Sequence, residues 1–254
     1  MTLYSGKNAV IIGGSHGIGL STAQLLVDKD AKVLVTGRSP GPIEAAKQQL
    51  KDGAKIVPCD ITSGVAISEL IQTAQLYFGA GQYIDVIFVN AGYASLEPFA
   101  TVTEDSFRRT FDTNVFGAFF VAQKLSPLLK DGGSIVFTTS VANQVGIPGM
   151  ATYSASKAAV RSFVQTLAAE LVSRKIRVNA VSPGFVKTPT MGVANASSDE
   201  LREFESQGVQ TTPLGRIGDP VEVARAVLFL AFEATFTTGS EVVLDGGLAL
   251  LKVH

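Results

Sequence analysis

Strand-length apolar runs alternate with longer segments of helical spacing from one end of this chain to the other. The runs occupy residues 8–12, 32–36, 55–58, 85–90, 134–139, 177–182 and 241–245. Helical patterns fall at about 18–29, from 42 onward, at 65–78, at 104–130, from 153 onward and at 220–231. Most runs are built round a continuous apolar stretch, the pattern of a strand covered on both faces. Strands of this kind, separated by helices, build a parallel sheet with helices on each side. The expected fold is α/β, a doubly wound parallel sheet of about seven strands. No linker, repeat or low-complexity tract interrupts it, so residues 1–254 read as one domain. The least regular stretch, about 185–218, has a polar middle, "ANASSDELREFESQG". It reads as a mobile substrate lid or a long surface insertion.

Composition closes off several function classes. The formal net charge is −1, which gives no electrostatic case for nucleic acid or an acidic membrane surface. A lone cysteine, Cys59, rules out an intrachain disulfide and points to a reducing compartment, with the cytoplasm as the expected location. The opening "MTLYSGKNAVIIGG" has no basic region followed by a long apolar run, so no signal peptide is expected. No apolar run is long enough to cross a bilayer. The two histidines, His16 and His254, lie at opposite ends of the chain, and no metal site is expected.

The chemistry-bearing motifs sit at the ends of the predicted strands. "GGSHGIG" follows the first run, with Ser15, His16 and Ile18 among its glycines Gly13, Gly17 and Gly19. Such a turn brings bare N–H groups and a helix N-terminus against a diphosphate, although glycines there can also be plain turn punctuation. The second run ends "VTGRS". NAD sites often carry an acid there, about 20 residues past the glycines. Gly37, Arg38 and Ser39 offer no carboxylate, and Arg38 can pair with a 2′-phosphate through two N–H bonds or stand solvated. On this basis NADP(H) is expected over NAD(H), and aspartate in place of Gly37 is expected to invert the choice. Asp60 and Ile61 in "CDIT" are placed to meet an adenine, though an aspartate at a strand end is also a common cap. Asn90, Ala91 and Gly92 give a polar anchor and a bulk-free backbone after the fourth run. Ser140 ends the fifth run, and "SPGFVKT" supplies Pro183, Gly184, Val186 and Thr188 after the sixth. Asn114 lies in an apolar helical setting, where it either holds structure or serves a proton path. In "YSASK", Tyr153 and Lys157 stand one helical turn apart with only small residues between them. A nearby ammonium favours tyrosinate, so Lys157 is expected to lower a phenol pKa from about 10. No single motif decides, but almost all converge on the carboxyl ends of the strands, where open α/β sheets bind ligands.

Taken together, these residues resemble the classical short-chain dehydrogenase/reductase family over about residues 6–247. Gly13-x3-Gly17-x-Gly19, Asp60, Asn90-Ala91-Gly92, Asn114, Ser140, Tyr153-x3-Lys157, Pro183-Gly184 and Thr188 stand in the family's order. The resemblance implies a Rossmann-type fold and a catalytic tetrad of Asn114, Ser140, Tyr153 and Lys157. In it Tyr153 exchanges a proton with a carbonyl oxygen and Ser140 holds the same oxygen. Lys157 also holds the nicotinamide ribose, Asn114 helps seat a water, and Thr188 touches the nicotinamide carboxamide. One departure is Ile12, where a threonine is common.

The expected activity is hydride transfer between NADP(H) and a carbonyl or secondary alcohol. By position, Ser140, Val141, Asn143, Ile147, Tyr153, Phe185 and Met191, with Tyr93, stand near the substrate. Most are apolar, which favours a hydrophobic ketone. One alternative is a catalytically silent NADP-binding sensor. Another, ranked lower, is an enoyl reductase, a class that generally spaces its Tyr and Lys more widely. Phe107, Phe111, Phe116, Phe119 and Phe120 spread beyond one helical stripe, and the following helix adds Phe163, Val164, Leu167 and Leu171. With family members commonly pairing these two helices, a homo-oligomer is expected, as a tetramer.

Overall fold

The computed structural model describes residues 4–193 and 197–251; His254 and residues 194–196 of the expected lid lie outside them. The strands are β1 (Asn8–Ile12), β2 (Lys32–Gly37), β3 (Ala54–Pro58), β4 (Ile84–Val89), β5 (Leu129–Thr138), β6 (Arg177–Pro183) and β7 (Glu241–Leu244). The helices are α1 (Gly17–Val27), α2 (Pro40–Leu50), α3 (Gly64–Phe78), α4 (Glu104–Phe111), α5 (Ala118–Leu125), α6 (Ala151–Leu171), α7 (Ser198–Thr211) and α8 (Pro220–Leu228).

All seven strands pair in parallel in the order β3-β2-β1-β4-β5-β6-β7. Side chains alternate between the sheet faces, so each strand feeds two cores. On one face Ile11, Val33, Val35, Phe88 and Val181 pack with Ala23 and Leu26 of α1, Ile43 of α2 and Val227 of α8. On the other, Val10, Ile12, Leu34, Ile87 and Phe137 pack with Ile67 of α3, Val121 of α5 and Val160 of α6. Burial on both faces is the physical reason the central strands, β1 and β4 above all, carry continuous apolar stretches. The chain runs outward from β1 to β3, then crosses back to β4 on the other side of β1. That reversal opens a crevice above the carboxyl ends of β1 and β4.

The helix expected at 104–130 is interrupted. α4 passes into a π-helical turn, Asp112–Gly117, before α5, and a 3₁₀ turn at Ser126–Leu128 then ends the helix. Pro127, which lacks an N–H and clashes with the preceding turn, explains the early stop. β5 therefore begins at Leu129, five residues before the expected run. The last helix, expected at about 220–231, is α-helical over Pro220–Leu228 and continues as a π turn over Phe229–Glu233. Among the described residues, no helix is long and apolar enough to cross a membrane, and no cluster of three metal-ligating side chains exists.

Candidate active site

A cleft of about 640 Å³ opens above the β1/β4 crossing and gathers the predicted strand ends into one wall. At one end of the cleft the chain turns at Gly13, whose φ of +79° is a left-handed conformation. A Cβ there would also stand 2.6 Å from the Ala91 backbone. Gly13 N–H donates to Thr36 Oγ1 at 3.2 Å, so β2 supplies a hydroxyl to the turn that Ile12 cannot. His16 is the N-cap of α1 but makes no side-chain capping bond, and no acid sits in the first turn. The opening N–H groups of α1 therefore have no side-chain competitor for an anion. Ser15, His16, Gly17 and Ile18 all line the cleft, and Gly19 lies beneath it, packed on the Gly13 carbonyl oxygen.

Arg38 and Ser39 are exposed at the rim, and Asp60, Ile61, Asn90, Ala91 and Gly92 line the floor. The Asp60 carboxylate accepts from the N–H and hydroxyl of Thr62 in a local turn, both through one oxygen. Asn90 joins three elements: its amide donates to the Gly13 carbonyl oxygen at 2.7 Å and its oxygen accepts from Thr138 Oγ1 at 3.0 Å. Pro183, Gly184, Val186 and Thr188 close the opposite wall. A Cβ on Gly17 would lie 3.0 Å from Thr188, which puts the segment after β6 directly over the glycine turn.

Ser140, Tyr153 and Lys157 converge on the same cleft. Lys157 is 3% exposed and donates to the Thr138 carbonyl oxygen at 2.8 Å. Burial lowers its pKa from 10.5 to about 8. Burial also raises the Tyr153 phenol, while its hydrogen bond with the Ser140 hydroxyl pulls the other way. Burial is thus the larger influence on this phenol, in the direction opposite to the lowering expected from Lys157, whose ammonium is bound to the Thr138 carbonyl oxygen. Asn114 is buried in the π turn and braces Tyr93. It accepts from Tyr93 N–H at 2.7 Å, donates to its carbonyl oxygen at 2.8 Å, and donates to Ser156 Oγ at 2.9 Å. Its side chain therefore ties the loop after β4 to α6.

The comparisons with known proteins agree with this architecture. The family model described as "Enoyl-(Acyl carrier protein) reductase" matches residues 13–249. Mouse L-fucose dehydrogenase is 34% identical, covering 98% of this chain and 91% of that protein. Versicolorin reductase stcU from Emericella nidulans is 35% identical, with 95% of each chain covered. A solved short-chain type dehydrogenase/reductase from Mycobacterium marinum superposes with a TM-score of 0.88 at 30% identity, covering 97% of both chains. The chain belongs to the classical short-chain dehydrogenase/reductase family. It is an oxidoreductase of a family that uses nicotinamide cofactors.

The short-chain dehydrogenase/reductase fold does not bring every expected substrate neighbour into the cleft. Ser140, Tyr153, Tyr93 and Met191 line it, whereas Val141, Asn143, Ile147 and Phe185 stand outside that lining. Val141 is buried in a 3₁₀ turn. Asn143 turns its amide to Glu241 of β7 at 2.8 Å. Phe185 packs on Phe204 of α7, and a Cβ on Gly208 of the same helix would meet its ring at 2.8 Å. Phe185 therefore anchors the base of the expected lid. Lys187 and Arg202 pair with Glu205 and Asp199 on the outer surface.

Other cleft residues carried little sequence signal. Ala94 forms an isolated bridge with Val193, joining two cleft-lining residues 99 positions apart that no local pattern marks. Thr138 was legible in principle, because it ends β5 and strand ends are where open α/β sheets bind ligands. Gly37 is a correction to the expected variant. A Cβ there would lie 2.7 Å from Ser15 Cβ and 2.9 Å from Ile43, so aspartate at 37 strains the turn it was meant to retune.

Proposed function

We propose that this chain is an NADP(H)-preferring carbonyl reductase or secondary-alcohol dehydrogenase that acts on a hydrophobic, uncharged substrate. The observation that carries the reading is the convergence of Ser140, Tyr153 and Lys157 on the cleft that also holds the uncapped start of α1. A nicotinamide dinucleotide, when bound, supplies or takes the hydride. Gly13, Ser15, His16, Gly17, Ile18 and Gly19 hold its diphosphate. Asp60 and Ile61 meet the adenine, and Asn90, Ala91 and Gly92 form the floor. Pro183, Gly184, Val186 and Thr188 hold the nicotinamide end, and Lys157 holds the adjoining ribose. Arg38 and Ser39 meet a 2′-phosphate.

Tyr153 gives a proton to the substrate carbonyl oxygen, and takes it back in the oxidative direction. A phenol held neutral by burial is in the form that donates. The Ser140 hydroxyl holds the same oxygen. Asn114 keeps Tyr93 and α6 in register. The substrate end, made of Tyr93, Ala94, Met191 and Val193, is mainly apolar, which supports a hydrophobic ketone over a charged substrate. Residues 185–218 act as the lid, and the assembly is a homotetramer through α4, α5 and α6. The buried, free Cys59 fits a cytoplasmic protein.

The description of the matching family model raises a second reading, reduction of an enoyl thioester. The four-residue Tyr153–Lys157 spacing beside Ser140 supports carbonyl chemistry instead. The test is NADPH oxidation with aromatic ketones, aliphatic ketones and an enoyl thioester, and NADP⁺ reduction with L-fucose. Turnover of apolar ketones is expected. Turnover confined to the thioester or to L-fucose overturns the substrate reading, and no turnover with any of them favours a silent NADP-binding protein.

A further inference from the structure

We propose that Glu241 is a positioning residue for Ser140. Its buried carboxylate ties the loop carrying Ser140 to the helix carrying Tyr153. Glu241 opens β7, and its side chain is only 6% exposed. It accepts from Thr139 Oγ1, from Asn143 Nδ2 at 2.8 Å and from Gln144 Nε2 at 2.8 Å. It also pairs with Arg161 Nε at 3.2 Å. Thr139 precedes Ser140 and Asn143–Gln144 follow it, so one carboxylate grips the loop on both sides of the serine. Arg161 belongs to α6, about two turns beyond Tyr153.

The link to the serine is direct. Asn143 N–H donates to the Ser140 carbonyl oxygen at 3.0 Å, closing the turn whose far end Glu241 holds. Within that turn Ser140 Oγ accepts from Ala142 N–H at 3.3 Å, which fixes the hydroxyl's direction. The Thr139 hydroxyl is also 3.0 Å from the Val181 carbonyl oxygen. It has one proton to donate, and a carboxylate oxygen competes for it with the carbonyl. A buried carboxylate with four donors, none of them lining the cleft except Thr139, has no part in proton transfer. What it sets is the separation of the two groups that must meet one substrate oxygen. Misplacing such a group by about 1 Å costs on the order of 10²-fold in rate.

The inference rests on the proposed role of Ser140, and the experiment separates the two. Ser140→Ala, Glu241→Ala, Glu241→Gln and the double variant Ser140→Ala/Glu241→Ala are compared for kcat, KM and NADPH dissociation constant, the last by fluorescence without substrate. Glu241→Ala is expected to lower kcat on the order of 10²-fold with NADPH affinity little changed. Glu241→Gln, which keeps an oxygen acceptor, restores most of that loss. The double variant is no slower than Ser140→Ala alone, because the second change acts through a group already gone. Additive losses, or a Glu241→Ala variant with wild-type kcat while Ser140→Ala is crippled, overturn this inference and leave the role of Ser140 standing. A fully active Ser140→Ala overturns both. Should Glu241→Ala fail to fold, Asn143→Ala cuts the same link while keeping the carboxylate. Reduced kcat with unchanged NADPH affinity in that variant supports the proposal, and wild-type kcat overturns it.

Discussion

The Lys157 ammonium stands 5.7 Å from the centre of the Tyr153 ring and donates to the carbonyl oxygen of Thr138. The cation is anchored to the end of β5, and its neighbour's phenol is held neutral by its surroundings. The pair is thus separated in charge state in the free protein, with the proton available on the group that is proposed to give it.

Tyr153→Phe removes that proton and little else. Turnover is expected to fall by about 10²–10⁴-fold, the usual worth of a positioned general acid. NADPH binding, measured by fluorescence, stays close to wild type. Residual activity above roughly a tenth of wild type would mean that another group supplies the proton.

Lys157 gives a prediction about stability against pH. Its folded pKa of about 8 lies below the 10.5 of a free lysine. Below pH 8 both states carry the charge, and the folded state bears the full cost of burying it. Between about pH 8 and 10.5 the unfolded chain binds more protons, so stability rises with pH. Urea unfolding of the free protein should show wild type gaining on Lys157→Met across that window, by up to roughly 3 kcal/mol. A difference that stays flat between these limits contradicts the buried ammonium.

Arg38→Leu tests the cofactor preference without disturbing packing, because Arg38 is exposed at the cleft rim. Charge-assisted bonds contribute about 1.5–3 kcal/mol each, so losing one or two should cost NADPH tenfold to several-hundredfold in kcat/KM. NADH should be nearly unaffected. A wild type that prefers NADH, or an unchanged ratio in the variant, makes Arg38 an ordinary solvated side chain.

Assembly is tested at Phe116, which is 42% exposed and packs on Phe120 with ring centres 4.5 Å apart. Phe107 on α4 is exposed to a similar degree. Light scattering of the wild type at micromolar concentration should give the mass of a tetramer, and Phe116→Asp should lower it. A monomeric wild type would mean that these aromatic groups tolerate water as they stand.

The sequence by itself determined the seven strands, their parallel pairing and the layering of helices, because continuous apolar runs can be buried only when both faces of a sheet are covered. It also marked most of the cleft, since Gly13, Asn90, Ser140 and Pro183 sit at or just beyond strand ends and a parallel sheet places all such ends on one side. What it could not show was direction and distance between remote residues. Asn143 and Phe185 follow strand ends as closely as residues that line the cleft, yet Glu241 and Phe204, far along the chain, draw them away. Gly37 looked free to carry a carboxylate until β2, α1 and α2 packed Ser15 and Ile43 against it. The direction of the Tyr153 shift depended on burial and on the hydrogen bond with Ser140, both of which only the fold sets. Strand ends follow from local pattern, but side-chain orientation and burial follow from close packing between distant segments, and only the tertiary structure decides those.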